Sequence, residues 1–80
     1  MPLYKFHVYN DDHTVDRLGQ QLADADAART TALGSARQIM AHELMGGRTI
    51  NLSHWIEIED EDGEMTVVPF RDAIDITDQQ

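Results

Sequence analysis

The chain has no cysteine. That excludes a disulfide framework and a thiolate-bound zinc as sources of stability. Basic residues are few: Lys5, Arg17, Arg29, Arg37, Arg48 and Arg71 stand against 15 Asp and Glu, for a formal charge of -9. The six are spread along the sequence, and phosphate backbones and anionic bilayers repel such a surface. No direct nucleic-acid binding and no membrane association are expected. No apolar run approaches the roughly 20 residues that cross a bilayer. The opening Met1-Pro2-Leu3-Tyr4-Lys5-Phe6-His7 has no apolar stretch of signal-peptide length. A cytoplasmic protein is the expectation.

Arrangements that carry chemistry are also scarce. His7, His13, His42 and His54 contain no His-x-x-x-His pair of the kind that binds metal on a helix. Ser35 falls within a helical stretch and Ser53 sits in a connector. There is no Gly-x-Ser-x-Gly elbow and no glycine-rich phosphate loop. The one temptation is the acidic run Glu57, Glu59, Asp60, Glu61, Asp62 and Glu64. A calcium loop of the EF-hand type needs glycine at its sixth position and glutamate at its twelfth. Counted from Asp60, Gly63 falls fourth and Arg71 twelfth, so the spacing fails. No catalytic residue, metal site or cofactor is expected, and the chain is read as a non-enzyme.

What is present is a pattern of strands and one helix. Tyr4 to Tyr9 alternates with period two, with Tyr4, Phe6 and Val8 on one face and Lys5, His7 and Tyr9 on the other. A polar turn follows at Asn10–His13. Residues 14–22 read as a short second strand or an ordered loop. Asp24 is a helix N-cap, with Asp26 favourable near the positive end of the helix dipole. The helix runs from Ala25 to Met45, with Ala25, Ala28, Ala32, Ala36, Ile39 and Met40 on one face and Leu33 and Leu44 widening it. Gly34 interrupts it and is read as a point of close backbone packing. Gly46-Gly47 ends it.

Ile50 and Leu52, in the connector that follows, are expected under the helix end. A hairpin then begins near His54. A three-residue loop, Glu61-Asp62-Gly63 with Gly63 left-handed, pairs Ile58 with Thr66 and Ile56 with Val68. That register puts Ile56, Ile58, Val68 and Phe70 on one buried face, whereas a two-residue loop would expose Val68. Pro69 cannot donate to a ladder and marks an edge or a bulge. Ala73–Ile76 resumes alternation and reads as a continued or last strand, and residues 77–80 as a polar tail.

The expected fold is therefore α+β: an antiparallel three- to four-stranded sheet with one long helix on one face, in the order β-(β)-α-β-β. Residues 1–80 form one domain. With 80 residues the core is small, and self-association is a natural way to bury more apolar surface. The second sheet face carries His7, Tyr9, Trp55, Glu57, Glu59 and Val67. Trp55, Tyr9, His7 and Arg71 are the candidate interaction surface, since tryptophan and arginine are enriched at binding hot spots. Two placements of Trp55 fit the sequence: exposed on the sheet, or packed at its margin against Ile50 or Leu52. Arg71 and Asp72 are expected to pair locally.

The chain resembles a family of small bacterial proteins of unknown function. The resemblance rests on Met1-Pro2-Leu3-Tyr4-Lys5-Phe6-His7, the Ala/Arg-rich helix with Ala27-Ala28-Arg29 and Ala32 to Arg37, and Val68-Pro69-Phe70-Arg71-Asp72-Ala73-Ile74. It implies a stand-alone single-domain protein and carries over no catalytic residue. The layout is also similar to small antitoxin domains that pack a helix on a three-stranded sheet. Three functional expectations follow. The leading one is a non-enzymatic protein-interaction module that binds a protein partner or a second copy of itself. The second is an antitoxin-like or nucleic-acid-mimicking regulator that binds a basic partner. The third is a small-molecule or cation binder.

Overall fold

The computed structural model describes residues 1–78; Gln79 and Gln80, the end of the expected tail, lie outside the described residues. The period-two segment at the start forms β1, Leu3–Tyr9. β1 is central. Its partner on one side is β4, Trp55–Glu59, and β4 in turn pairs with β5, Met65–Pro69. All these pairings are antiparallel, with Phe6 opposite Ile58, Val8 opposite Ile56, Ile58 opposite Thr66 and Ile56 opposite Val68. The hairpin register is the one that the three-residue loop demands. Gly63 has φ +82, a conformation glycine adopts without steric cost.

The ambiguous segment 14–22 resolves into two strands of two residues each. β2, His13–Thr14, pairs with Val8 and Tyr9, and β3, Gln20–Gln21, pairs with Leu3 and Tyr4. Both lie on the same edge of β1, so together they act as one outer strand interrupted in its middle. The expected turn at Asn10–His13 is thus shorter by one residue, because the His13 backbone joins the ladder.

The helix α1 spans Ala25–Met45. The Asp24 carboxylate accepts from the Ala27 N–H at 2.9 Å. At the other end the Gly47 N–H donates to the Leu44 carbonyl and the Arg48 N–H to the Glu43 carbonyl. Gly47 takes φ +69, so the end is a Schellman motif. The buried stripe is Ala28, Ala32, Ala36 and Met40. With three of its four positions alanine, the helix sits close on the sheet, over Tyr4, Ile56, Ile58 and Val68. Ile50 and Leu52 pack against the same core. Leu44 does not: it is exposed, one turn beyond Met40, the last buried position of the helix.

Gly34 is not a close-packing point. A methyl group added there meets no atom within 4 Å, so the site has room that the sequence cannot reveal. Gly34→Ala is expected to stabilise the protein by about 0.5–1 kcal/mol through helix propensity and a less flexible unfolded chain. A thermal melt checks this, and a lower melting temperature for the variant would refute it.

After Pro69 the chain does not continue as a strand. Phe70–Ala73 form a 3-10 turn, and none of residues 74–78 is a strand. The Arg37 Nε donates to the Ala73 carbonyl at 2.7 Å. That bond ties the turn to α1, and Phe70 at the start of the turn is buried in the core, 1% exposed. Alternation at Ala73–Ile76 therefore reflects no ladder. Asp72 reaches Arg29 on the helix at 3.3 Å instead of pairing locally with Arg71.

Candidate interaction surface

The helix covers one face of the sheet and leaves the other to side chains of odd-numbered residues in β1, β4 and β5. Strand register brings Tyr9 opposite both His13 in β2 and Trp55 in β4. The three rings stack. Tyr9 and Trp55 have centroids 4.9 Å apart and an interplanar angle of 9°. Tyr9 and His13 lie 4.0 Å apart at 21°. The ladder crosses three strands at one end of the sheet. Trp55 is half-buried there by its ring neighbour. His13 was not among the candidate residues, and only the β1–β2 pairing places its ring on Tyr9.

Partial burial, then the hydrogen bond to Glu57 and the charge of that carboxylate, raise the Tyr9 hydroxyl above its ordinary pKa. The hydroxyl stays protonated at neutral pH, beside the Glu57 carboxylate. Val67 stands opposite Glu57 and Met65 opposite Glu59 on the neighbouring strand. They are 52% and 51% exposed, so the face carries apolar side chains in contact with solvent beside its carboxylates.

His7 lies on the same face, two residues before Tyr9, but is buried. Its Nδ1 accepts from the Asp16 N–H at 3.1 Å, and its Nε2 is 2.8 Å from a Glu59 oxygen. A backbone N–H can only donate, so Nδ1 is unprotonated and the Nε2–H donates to Glu59. Both ring nitrogens are thus used internally, and His7 holds the loop between β2 and β3 against the sheet. Asp16 completes that arrangement. One carboxylate oxygen accepts from the Phe6 N–H at 3.1 Å, the other from the Leu18 and Gly19 N–H groups at 3.0 Å each. Desolvation acts to raise the Asp16 pKa, but the N–H groups of Gly19, Phe6 and Leu18 and the nearby His7 outweigh it, and the net shift is downward.

Arg71 is exposed on the 3-10 turn, beyond the sheet end where Pro69 pairs with Trp55. It lies outside the ring ladder. Tyr9 and Trp55 are therefore the two candidate residues brought together, with His13 added. His7 sits beneath the loop and Arg71 at the flank.

The carboxylates of the hairpin divide as strand alternation requires. Glu57 and Glu59 engage Tyr9 and His7. Asp60 caps the turn, accepting from the N–H groups of Asp62 and Glu64 at 2.9 Å each. Among the described residues no group of three or more His, Cys, Asp or Glu is arranged to hold a metal ion. On the helix side a shallow cavity of about 230 Å³ lies between the start of α1 and the hairpin, lined by Tyr4, Ala28, Arg29, Ile58, Asp60 and Thr66 among others. Its volume falls below the range of about 300–1,000 Å³ usual for small-molecule sites. No helix among the described residues is long and apolar enough to cross a membrane.

A twisted antiparallel sheet with one capped helix on one face and an aromatic row on the other defines a small α+β domain. The chain belongs to the family described as a domain of unknown function (DUF6894), whose model matches residues 3–71. No curated protein and no solved structure matches it.

Proposed function

We propose that the chain is a non-enzymatic protein-interaction module of the cytoplasm, and that its contact surface is the part of the second sheet face that the Asp16 loop leaves open, centred on Trp55 and Tyr9. The observation that carries this reading is the His13–Tyr9–Trp55 stack beside exposed Val67 and Met65. Stacked rings are already fixed in place, so a partner that lands on them orders few side chains. An exposed group of aromatic and aliphatic side chains rimmed by carboxylates has the make-up of an interface core with a polar rim.

The test is an affinity capture from native lysate with wild type and with a Trp55→Ala, Tyr9→Ala double variant. Wild type is expected to retain a protein that the variant loses by at least tenfold. Equal capture by both would refute the surface, and salt elution separates the readings of its partner. Release by moderate salt would favour the second reading, a regulator that binds a basic partner, which the exposed Glu61, Asp62 and Glu64 at the hairpin tip support.

A further inference from the structure

The two edges of the sheet are built differently. At the β1 edge, β2 and β3 cover the ends of the strand, and the Asp16 carboxylate takes the Phe6 N–H between them. That edge offers no free run of backbone groups. The β5 edge has no strand beside it among the described residues. Asp60 N–H donates to the Glu64 carbonyl, and Phe70 N–H to the His54 carbonyl. Antiparallel alternation between these two bonds turns Thr66 and Val68 toward β4 and leaves the N–H and C=O groups of Met65 and Val67 facing outward. Edges are commonly guarded by an inward charge, a lysine, a bulge or an early proline. Met65-Thr66-Val67-Val68 has none of these, and Pro69 comes only at its end.

We infer that a second copy of this chain pairs with the β5 edge, antiparallel and centred on Thr66, to join two sheets into one. The inference rests on the interaction-module reading and names its partner. In this register Met65 and Val67 face the second copy's Val67 and Met65. The four residues exchange four backbone hydrogen bonds, and their exposed side chains close into one apolar strip on the ring-bearing face. Pro69, with no N–H, ends the pairing on each side.

Charge chooses the orientation. Antiparallel pairing carries the acidic tip Glu61-Asp62 of each copy past Pro69 of the other, toward the exposed Arg71 that follows it. Parallel pairing would set the two acidic tips side by side. A strand of five residues buries less than a standard interface of about 1,600 Å², so the dimer is expected to be weak and concentration-dependent.

Sedimentation velocity from about 10 µM to 1 mM reads the equilibrium. The expected result is a concentration-dependent dimer. Val67→Pro removes an outward N–H that β4 does not use, and is expected to abolish the dimer while circular dichroism stays native. Arg71→Glu is expected to weaken the dimer about tenfold, as two lost surface ion pairs allow, and Glu61→Arg added to it restores the dimer even if Val67→Pro fails to fold. A strict monomer to 1 mM, or a dimer indifferent to Arg71→Glu, overturns the inference. If the monomer result coincides with Trp55-dependent capture from lysate, the edge fails and the module reading stands. A dimer lost on Trp55→Ala but kept in Val67→Pro also overturns the edge.

Discussion

Phe70→Ala is expected to cost about 3–5 kcal/mol, the usual range for truncating a buried aromatic ring. Phe70 is among the largest fully buried side chains, with Ile56 and Val68. It lies where the 3-10 turn meets α1, and its ring stands nearly perpendicular to that of His54, with centroids 5.8 Å apart. The wall opposite is the alanine stripe of the helix, whose short side chains cannot reach into a cavity left by the ring. Collapse of the site is therefore limited, and that sets the cost toward the upper part of the range. An 80-residue domain has about 4–12 kcal/mol of total stability, so the variant is expected to be largely unfolded or to melt tens of degrees lower. Urea unfolding followed by circular dichroism gives the number. Leu44→Ala, at an exposed position of the same helix, should stay within about 0.5 kcal/mol of wild type. A Phe70→Ala protein as stable as Leu44→Ala would show that the core is not organised around this ring.

The elements that local chemistry specifies are legible in the sequence. Asp24 and Gly47 bracket the helix because a carboxylate and a left-handed glycine satisfy orphan backbone groups within one turn of themselves. Gly63 sets the hairpin register by the same kind of short-range rule, and with it the buried face Ile56, Ile58, Val68. The opening strand announced itself by period two. Features that depend on how the segment after β1 folds back on the sheet, or on contacts between elements, are not legible in the sequence. His13 becomes a ring in a stack only through the pairing of β2 with β1, and nothing in Asn10-Asp11-Asp12-His13 marks it. His7 sits on the face that alternation assigns, yet it is buried because the loop at Asp16 folds over it. Alternation at Ala73–Ile76 imitates a strand, but the bond from Arg37 to the Ala73 carbonyl ties the turn before it to the helix. For Gly34 the sequence shows the absence of a side chain and not whether that absence is needed.

Asp16 is the residue whose importance the sequence hides most completely, and its substitution has the second largest expected effect. Its two oxygens receive three backbone N–H groups, one of which belongs to the middle of β1. The Leu18 and Gly19 groups lie in the loop and can turn to water. Phe6 N–H points at the interrupted edge and has no strand opposite. Asp16→Ala leaves it without its acceptor, frees the loop that covers His7, and is expected to cost about 1.5–3 kcal/mol, the range for a lost hydrogen bond to a charged acceptor. Asp16→Asn replaces one of the two accepting oxygens with an NH2 donor, much as protonation of the carboxylate replaces one with an OH, so it removes the charge and one acceptor together. The Asp16 pKa is lowered in the folded state from the ordinary 3.8. A carboxylate of that kind adds stability that is complete above the unfolded value and disappears as pH falls through the folded one. The stability gap between wild type and Asp16→Asn should therefore be constant from about pH 7 to about pH 5 and close below about pH 4. Denaturant midpoints measured across that interval decide the matter. A gap that persists unchanged into acid would mean that the charge on Asp16 contributes nothing, and that the loop is held by shape and by His7 alone.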